Sequence, residues 1–242
     1  MSEIRLPYLL FVGDEHNDSN AKTAFGVHQW RPEACTGQWN LPGGTIDVGL
    51  PRLTPAAAVA RGARSLLIGV APVGGQIAPQ WIPAICAALE AGLDVVSGMH
   101  TRLASVAAIA AMAARHGRAL HDIRHSTQQF PVGTGLRRAG KRLLTVGTDC
   151  ALGKKYTALA LTRAFQAAGV SATFRATGQT GIMISGSGVA IDAVIADFIA
   201  GAAESLSPAN DPAHWDIIEG QGSILHPGYA GVSLGLMHGS QA

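Results

Sequence analysis

Residues 143–157 read Leu143-Leu144-Thr145-Val146-Gly147-Thr148-Asp149-Cys150-Ala151-Leu152-Gly153-Lys154-Lys155-Tyr156-Thr157. A short apolar run enters a glycine-bounded loop, and Gly153-Lys154 then opens an alanine-rich helical segment. This is the layout of a phosphate-binding loop. Backbone N–H groups of the loop and of the first helical turn converge on an anion, and a lysine reaches the same charge. The stretch departs from the common pattern twice. Five residues (148–152) separate Gly147 from Gly153, where four are usual. Lys155 stands where the Mg²⁺-holding Ser or Thr is usual, with Thr157 two places on. The stretch therefore predicts anion binding by Gly147, Thr148, Asp149, Cys150, Gly153, Lys154, Lys155 and Thr157 more than nucleotide hydrolysis. A plain strand–turn–helix connection is the competing reading.

Beyond the loop a helix is expected over 154–168, with Gly169 where a helix-ending glycine belongs. A strand follows over 170–176 and a loop over 177–181. Residues 191–203 read as a helix with Ile191, Val194, Ile195, Phe198 and Ile199 on one face. A strand over 214–222 runs into a glycine-rich turn, and 228–237 is a short helix. Upstream, residues 127–140, with Pro131, Gly133, Gly135 and two arginines, form the boundary. The domains are expected at 1–135 and 136–242.

The first domain opens on an apolar strand, 8–12, then a polar run, 14–20, and a helix beginning near Ala21-Lys22-Thr23-Ala24. Residues 39–51 contain Pro42-Gly43-Gly44 and Gly49-Leu50-Pro51 and read as turns. Strands at 65–70, 93–98 and 118–123 then alternate with helices at 54–60, 81–91 and 101–115. Alternation of this length implies a parallel sheet with helices on its faces, a Rossmann-like layer. No G-x-G-x-x-G follows its first strand, so no dinucleotide is assigned. The fold class is α/β: a Rossmann-like N-terminal domain, then a P-loop-type parallel α/β domain with only three recognisable strands, which reads as incomplete.

Composition bounds the function. Charged residues are 14% and hydrophobic residues 48%, which leaves apolar surface for another chain and suggests a homo-oligomer. A net charge of +2 without basic blocks among aromatics argues against nucleic acid. Cys35, Cys86 and Cys150 fit neither a zinc spacing nor a disulfide framework. His100, His116, His121 and His125 lack metal-ligand spacing, so no metal site is assigned. The start has no signal-peptide core, and 105–114 is too short to cross a bilayer. A cytoplasmic protein acting on a small molecule, without membrane attachment, is expected.

Ligands of parallel sheets collect beyond the carboxyl ends of the strands. Three second-domain loops end there, adding Arg175, Thr177, Gln179, Glu219, His226 and Tyr229 to the loop residues. Glu219 follows an apolar pair at a strand end, where phosphate-loop enzymes keep an acid for Mg²⁺ or proton transfer. A loop-fixing carboxylate is the alternative. His226, held by Pro227, is a second candidate base. Arg175 can fork onto an anion or pair with Asp149 or Glu219. Cys150 suits the loop as a small side chain more than as a nucleophile.

Gly147-Thr148-Asp149-Cys150-Ala151-Leu152-Gly153-Lys154, Arg175-Ala176-Thr177-Gly178-Gln179-Thr180-Gly181 and Asp216-Ile217-Ile218-Glu219-Gly220-Gln221-Gly222-Ser223 resemble the D-glutamate N-acetyltransferase-like family. Ala21-Lys22-Thr23-Ala24 and the closing Tyr229-Ala230-Gly231 to His238-Gly239-Ser240 stretch fit it too. The loop and the Glu-Gly-x-Gly turn also look like dethiobiotin synthetase. The family resemblance implies acetyl transfer from acetyl-coenzyme A to the amine of D-glutamate or a similar acidic amino acid. Family members usually continue well past the segment matching Gly239-Ser240. In the roles implied, Glu219 or His226 is the base, and loop N–H groups or Tyr229 meet the oxyanion. Arg175 and Lys22, with Thr177 and Gln179, face the substrate. The competing functions are a ligase or kinase using ATP with Mg²⁺, and a binding protein without turnover.

Overall fold

The computed structural model describes residues 4–72, 74–125, 128–150 and 152–240. Ala151 of the phosphate loop, Thr127 of the expected boundary and the last two residues lie outside the described residues. The chain forms two compact units, Met1–His125 and Ser126–Ala242. The division falls ten residues before the expected 135/136 boundary. Phe130, expected in the first domain, is buried in the core of the second unit.

The first unit is built on β1 (Tyr8–Gly13), β2 (Cys35–Asn40), β3 (Ser65–Ile68), β4 (Asp94–Ser97) and β5 (Leu120–Asp122). They pair in parallel in the order β2-β1-β3-β4-β5. Every residue of β1, β3 and β4 is buried, as expected of a sheet covered on both faces. The helices are α1 (Lys22–Trp30), α2 (Pro55–Ala60), α3 (Ile82–Glu90) and α4 (Ala107–His116). Strand order reverses at β1, which creates the topological crevice of doubly wound folds. Edge strand β2 replaces the start of the turns expected from Trp39. Its polar sequence carries no apolar run. It is held instead by Gln38, whose Nε2 donates to Asn40 Oδ1 and Ile46 O while its Oε1 accepts from Val48 N.

The second unit carries β6 (Lys141–Leu144), β7 (Ala172–Arg175) and β8 (Trp215–Ile218), all parallel in the order β6-β8-β7. Alternation divides their side chains between two faces. Leu143, Phe174 and Ile217 pack with Ala158, Leu161 and Phe165 of α5 (Lys154–Ala167). On the other face Leu144 joins Phe130, Val189, Ile191, Ile199 and Leu236, a core shared by α7 (Ile199–Leu206) and α8 (Ala230–Gly239).

Two expectations change here. Residues 179–185 form α6 (Gln179–Ser185), a helix hidden in sequence by Thr180 and Gly181 and ended by Gly186 at φ 82°. The helix expected over 191–203 is instead two 3₁₀ turns, Ile191–Ala193 and Ala196–Phe198, leading into α7. Ile191 N donates to Thr177 O, tying this segment to the β7 loop, and Ile195 points outward.

Candidate functional site

Glu219 directly follows β8 and is 2% exposed. The N–H groups of Thr177 (2.9 Å) and Gly178 (3.0 Å) both donate to its Oε2. Thr177 Oγ1 donates to Glu219 O at 2.5 Å, and Glu219 N donates to Arg175 O at 2.9 Å. Burial pushes the carboxyl above the usual carboxylate range, and the two N–H donors and the Lys155 charge oppose that shift without cancelling it. Two glycines stand against these side chains. A Cβ on Gly181 would overlap Oε2, and one on Gly178 would overlap the Gln221 carboxamide.

The phosphate loop meets this carboxylate through Thr145. Its Oγ1 donates to Lys154 O (3.1 Å) and accepts from Gly220 N (2.9 Å), joining the end of β6, the start of α5 and the turn after β8. Gly153, at φ 97°, opens α5, whose first turn holds no acidic residue and carries Lys154 and Lys155. The positive end of the helix dipole and two ammonium groups are features that favour an anion. Lys154 Nζ donates to Asp149 O at 2.8 Å across the loop. Asp149 Oδ1 accepts from Cys150 N, and Cys150 is exposed. Lys155 Nζ lies 4.4 Å from the Tyr156 ring centroid.

Residues 220–229 are fastened to the same loop. Ile224 N donates to Gly147 O (2.9 Å) and Ser223 Oγ to Thr148 O (2.9 Å). His226 N donates to Ser223 Oγ, and the His226 and Tyr229 rings stack at 4.6 Å. Gly228 N donates to His226 Nδ1, so the neutral ring carries its proton on Nε2. In that form the His226 Nδ1 lone pair is engaged, whereas Glu219 Oε1 has no hydrogen-bond partner among the described residues.

The other expected site residues have the following surroundings. Arg175 Nε donates to Asp216 Oδ1 at 2.8 Å, a partner in place of Asp149 or Glu219, because Asp216 shares its face of the sheet. Thr177 is buried and holds Glu219 rather than facing a substrate. Gln179 donates to both carboxylate oxygens of Asp192 at 3.0 Å. Thr157 is exposed on α5. Lys22 is the exposed first residue of α1 in the first unit. Among the described residues, no three His, Cys, Asp or Glu side chains are grouped to hold a metal ion. Thr145 and Ser223 escaped the sequence reading. Single hydroxyls at strand ends carry no distinguishing pattern, and only their partners across the fold reveal them.

Family models match both units. Residues 35–126 fit a Rossmann-like domain of unknown function (DUF1611_N), and residues 131–242 a P-loop domain of unknown function (DUF1611_C). A D-glutamate N-acetyltransferase from Tritonibacter scottomollicae is 51% identical over 98% of this chain and 72% of its own length. One from a Pseudoalteromonas species is 50% identical over 99% of this chain and 72% of its length. The crystal structure of a DUF1611 family protein from Anabaena variabilis ATCC 29413 superposes with a TM-score of 0.83 at 32% identity. The match covers 98% of this chain and 72% of that one.

Proposed function

Since this chain belongs to the DUF1611 family and is an N-acetyltransferase, we propose that it moves an acetyl group from acetyl-coenzyme A to the amine of D-glutamate or a similar acidic amino acid. The observation that carries this reading is Glu219, a buried carboxyl with a raised pKa fastened to the loop beside an anion cradle. The pyrophosphate of coenzyme A would lie on the first-turn N–H groups of α5, with Lys154 turning from Asp149 O to the phosphate. The carrier needs gripping without phosphoryl transfer, so Lys155 in place of a Mg²⁺-holding hydroxyl is no handicap. The same replacement disfavours the alternative, ATP with Mg²⁺.

An ammonium group must first lose a proton before its nitrogen can attack, and a carboxyl tuned upward is a suitable acceptor near neutral pH. Glu219 takes that role here, with Oε2 occupied by two N–H donors and Oε1 left for the proton. Arg175 remains the proposed cation for a substrate carboxylate. For Arg175 this role uses the guanidinium edge beyond the Nε that holds Asp216. Exposed Leu225, Leu234 and Met237 support the further reading of a homo-oligomer, with three free thiols suiting the cytoplasm.

Incubation with acetyl-coenzyme A and D-glutamate, with L-glutamate and glycine in parallel, tests the reaction. The expected result is thiol release dependent on an acidic amino acid, fastest with the D form. Absence of release with every amine across pH 6–9 sinks the proposal.

A further inference from the structure

Two residues beyond Glu219, the side chain of Gln221 is half-buried and makes no hydrogen bond among the described residues. Its backbone is fixed, because Ser233 Oγ donates to Gln221 O at 2.8 Å and the chain turns at once through Gly222 at φ 74°. A Cβ built on Gly178 would overlap Gln221 Nε2 and lie 3.1 Å from Glu219 Oε1. The carboxamide and the carboxylate therefore flank the same bare stretch of backbone. Glu219 Oε2 is filled by two N–H donors, whereas Oε1 has no hydrogen-bond partner among the described residues. An unengaged donor beside an unengaged acceptor, at the mouth of an anion-binding loop, is a pair arranged for a reacting group.

We propose that Gln221 is a second catalytic residue of this corner, donating its amide N–H to the thioester oxygen while Glu219 Oε1 takes the proton of the incoming amine. The inference rests on the acetyl-transfer reading. The ammonium gives one proton to Glu219, which later passes it to solvent. The freed nitrogen attacks the thioester carbon, a C–N bond forms, and the carbonyl π pair moves onto oxygen, where the Gln221 N–H meets it. Collapse re-forms C=O and breaks C–S. The departing thiolate takes the second amine proton, so amide and thiol leave with one proton released overall. Donors aimed at developing oxyanion charge act mainly on the chemical step.

The test uses the full chain, first wild type and then Gln221→Ala, Gln221→Asn and Gly178→Ala, with steady-state thiol release, coenzyme A titration and unfolding midpoints. Gln221→Ala is expected to lower kcat by about 10²–10³-fold, with the KM for acetyl-coenzyme A and the midpoint held and the acid limb of the pH profile in place. Gln221→Asn, a shorter donor, should retain part of the rate. Gly178→Ala, which displaces the carboxamide, should reproduce the loss. A Gln221→Ala enzyme within about threefold of wild-type kcat overturns the proposal, as does a loss carried by KM and coenzyme A affinity alone. A wild-type chain without thiol release overturns the underlying acetyl-transfer reading as well, so the two failures are distinguishable.

Discussion

At the scale of single residues the site turns on a carboxyl kept in a dry cradle. Because burial raises the Glu219 pKa, its charged form is disfavoured in the fold relative to the unfolded chain. Below the ordinary Glu value of about 4.3 there is no penalty. As pH rises through the raised value, the folded state loses stability while the proposed base becomes active. Glu219→Gln, whose side-chain oxygen can still accept both N–H donors, should thus unfold at higher denaturant than wild type at pH 8. At pH 4 the two should be nearly equal, and kcat at pH 8 should fall about 10²–10⁴-fold. Equal midpoints at both pH values would show that the carboxylate is not strained. Sequence located this residue from its place after an apolar pair. It did not reveal that Thr177 is a holder of the carboxylate, since a threonine facing inward and one facing a ligand are spelled alike. The ion-pair partner of Arg175 was missed for the same reason. Its partner Asp216 belongs to another strand, and register is invisible before the sheet is assembled.

Elements bring the parts together through short side chains. Thr145 ties β6, α5 and the turn after β8 with one hydroxyl. Thr145→Val keeps the shape but leaves the buried Gly220 N–H without an acceptor, which costs about 1–3 kcal/mol. Denaturant titration should show that loss, and acetyl-coenzyme A affinity should fall as the loop loosens. Unchanged values for both would remove Thr145 from the site's frame. The regular strands and helices were legible from apolar runs and glycine stops. Two elements were not: β2 because it is polar and held by Gln38, and α6 because its own residues favour a loop. In both, contacts distant in sequence override local preference.

At the scale of the molecule, two sheets with separate cores divide the chain. Asp216 is the buried polar centre of the second. It accepts from Arg175 Nε and Ser207 Oγ (2.6 Å), and Arg142 Nε donates to the same serine. His214 Nε2 stands 3.3 Å from Oδ1 without hydrogen-bond geometry. Asp216→Ala should cost about 3–5 kcal/mol, since it leaves the Arg175 guanidinium and the Ser207 hydroxyl without their buried acceptor. Hydrogen exchange can read the two units separately. Amides of β8 should lose protection while those of β3 keep theirs, and an equal loss in both would mean that the units unfold as one. The two-domain order was legible in full from the alternation of strands and helices. The dividing point was not, because residues 128–130 look like linker until Phe130 is seen inside a core.

The bond from Lys154 Nζ to Asp149 O bears on how tightly the carrier is held. In the complex proposed above, an arriving phosphate would not find an idle ammonium group; it would have to win the lysine from the loop's own carbonyl. Binding is consequently an exchange of one acceptor for another, and the net affinity reports the difference between them.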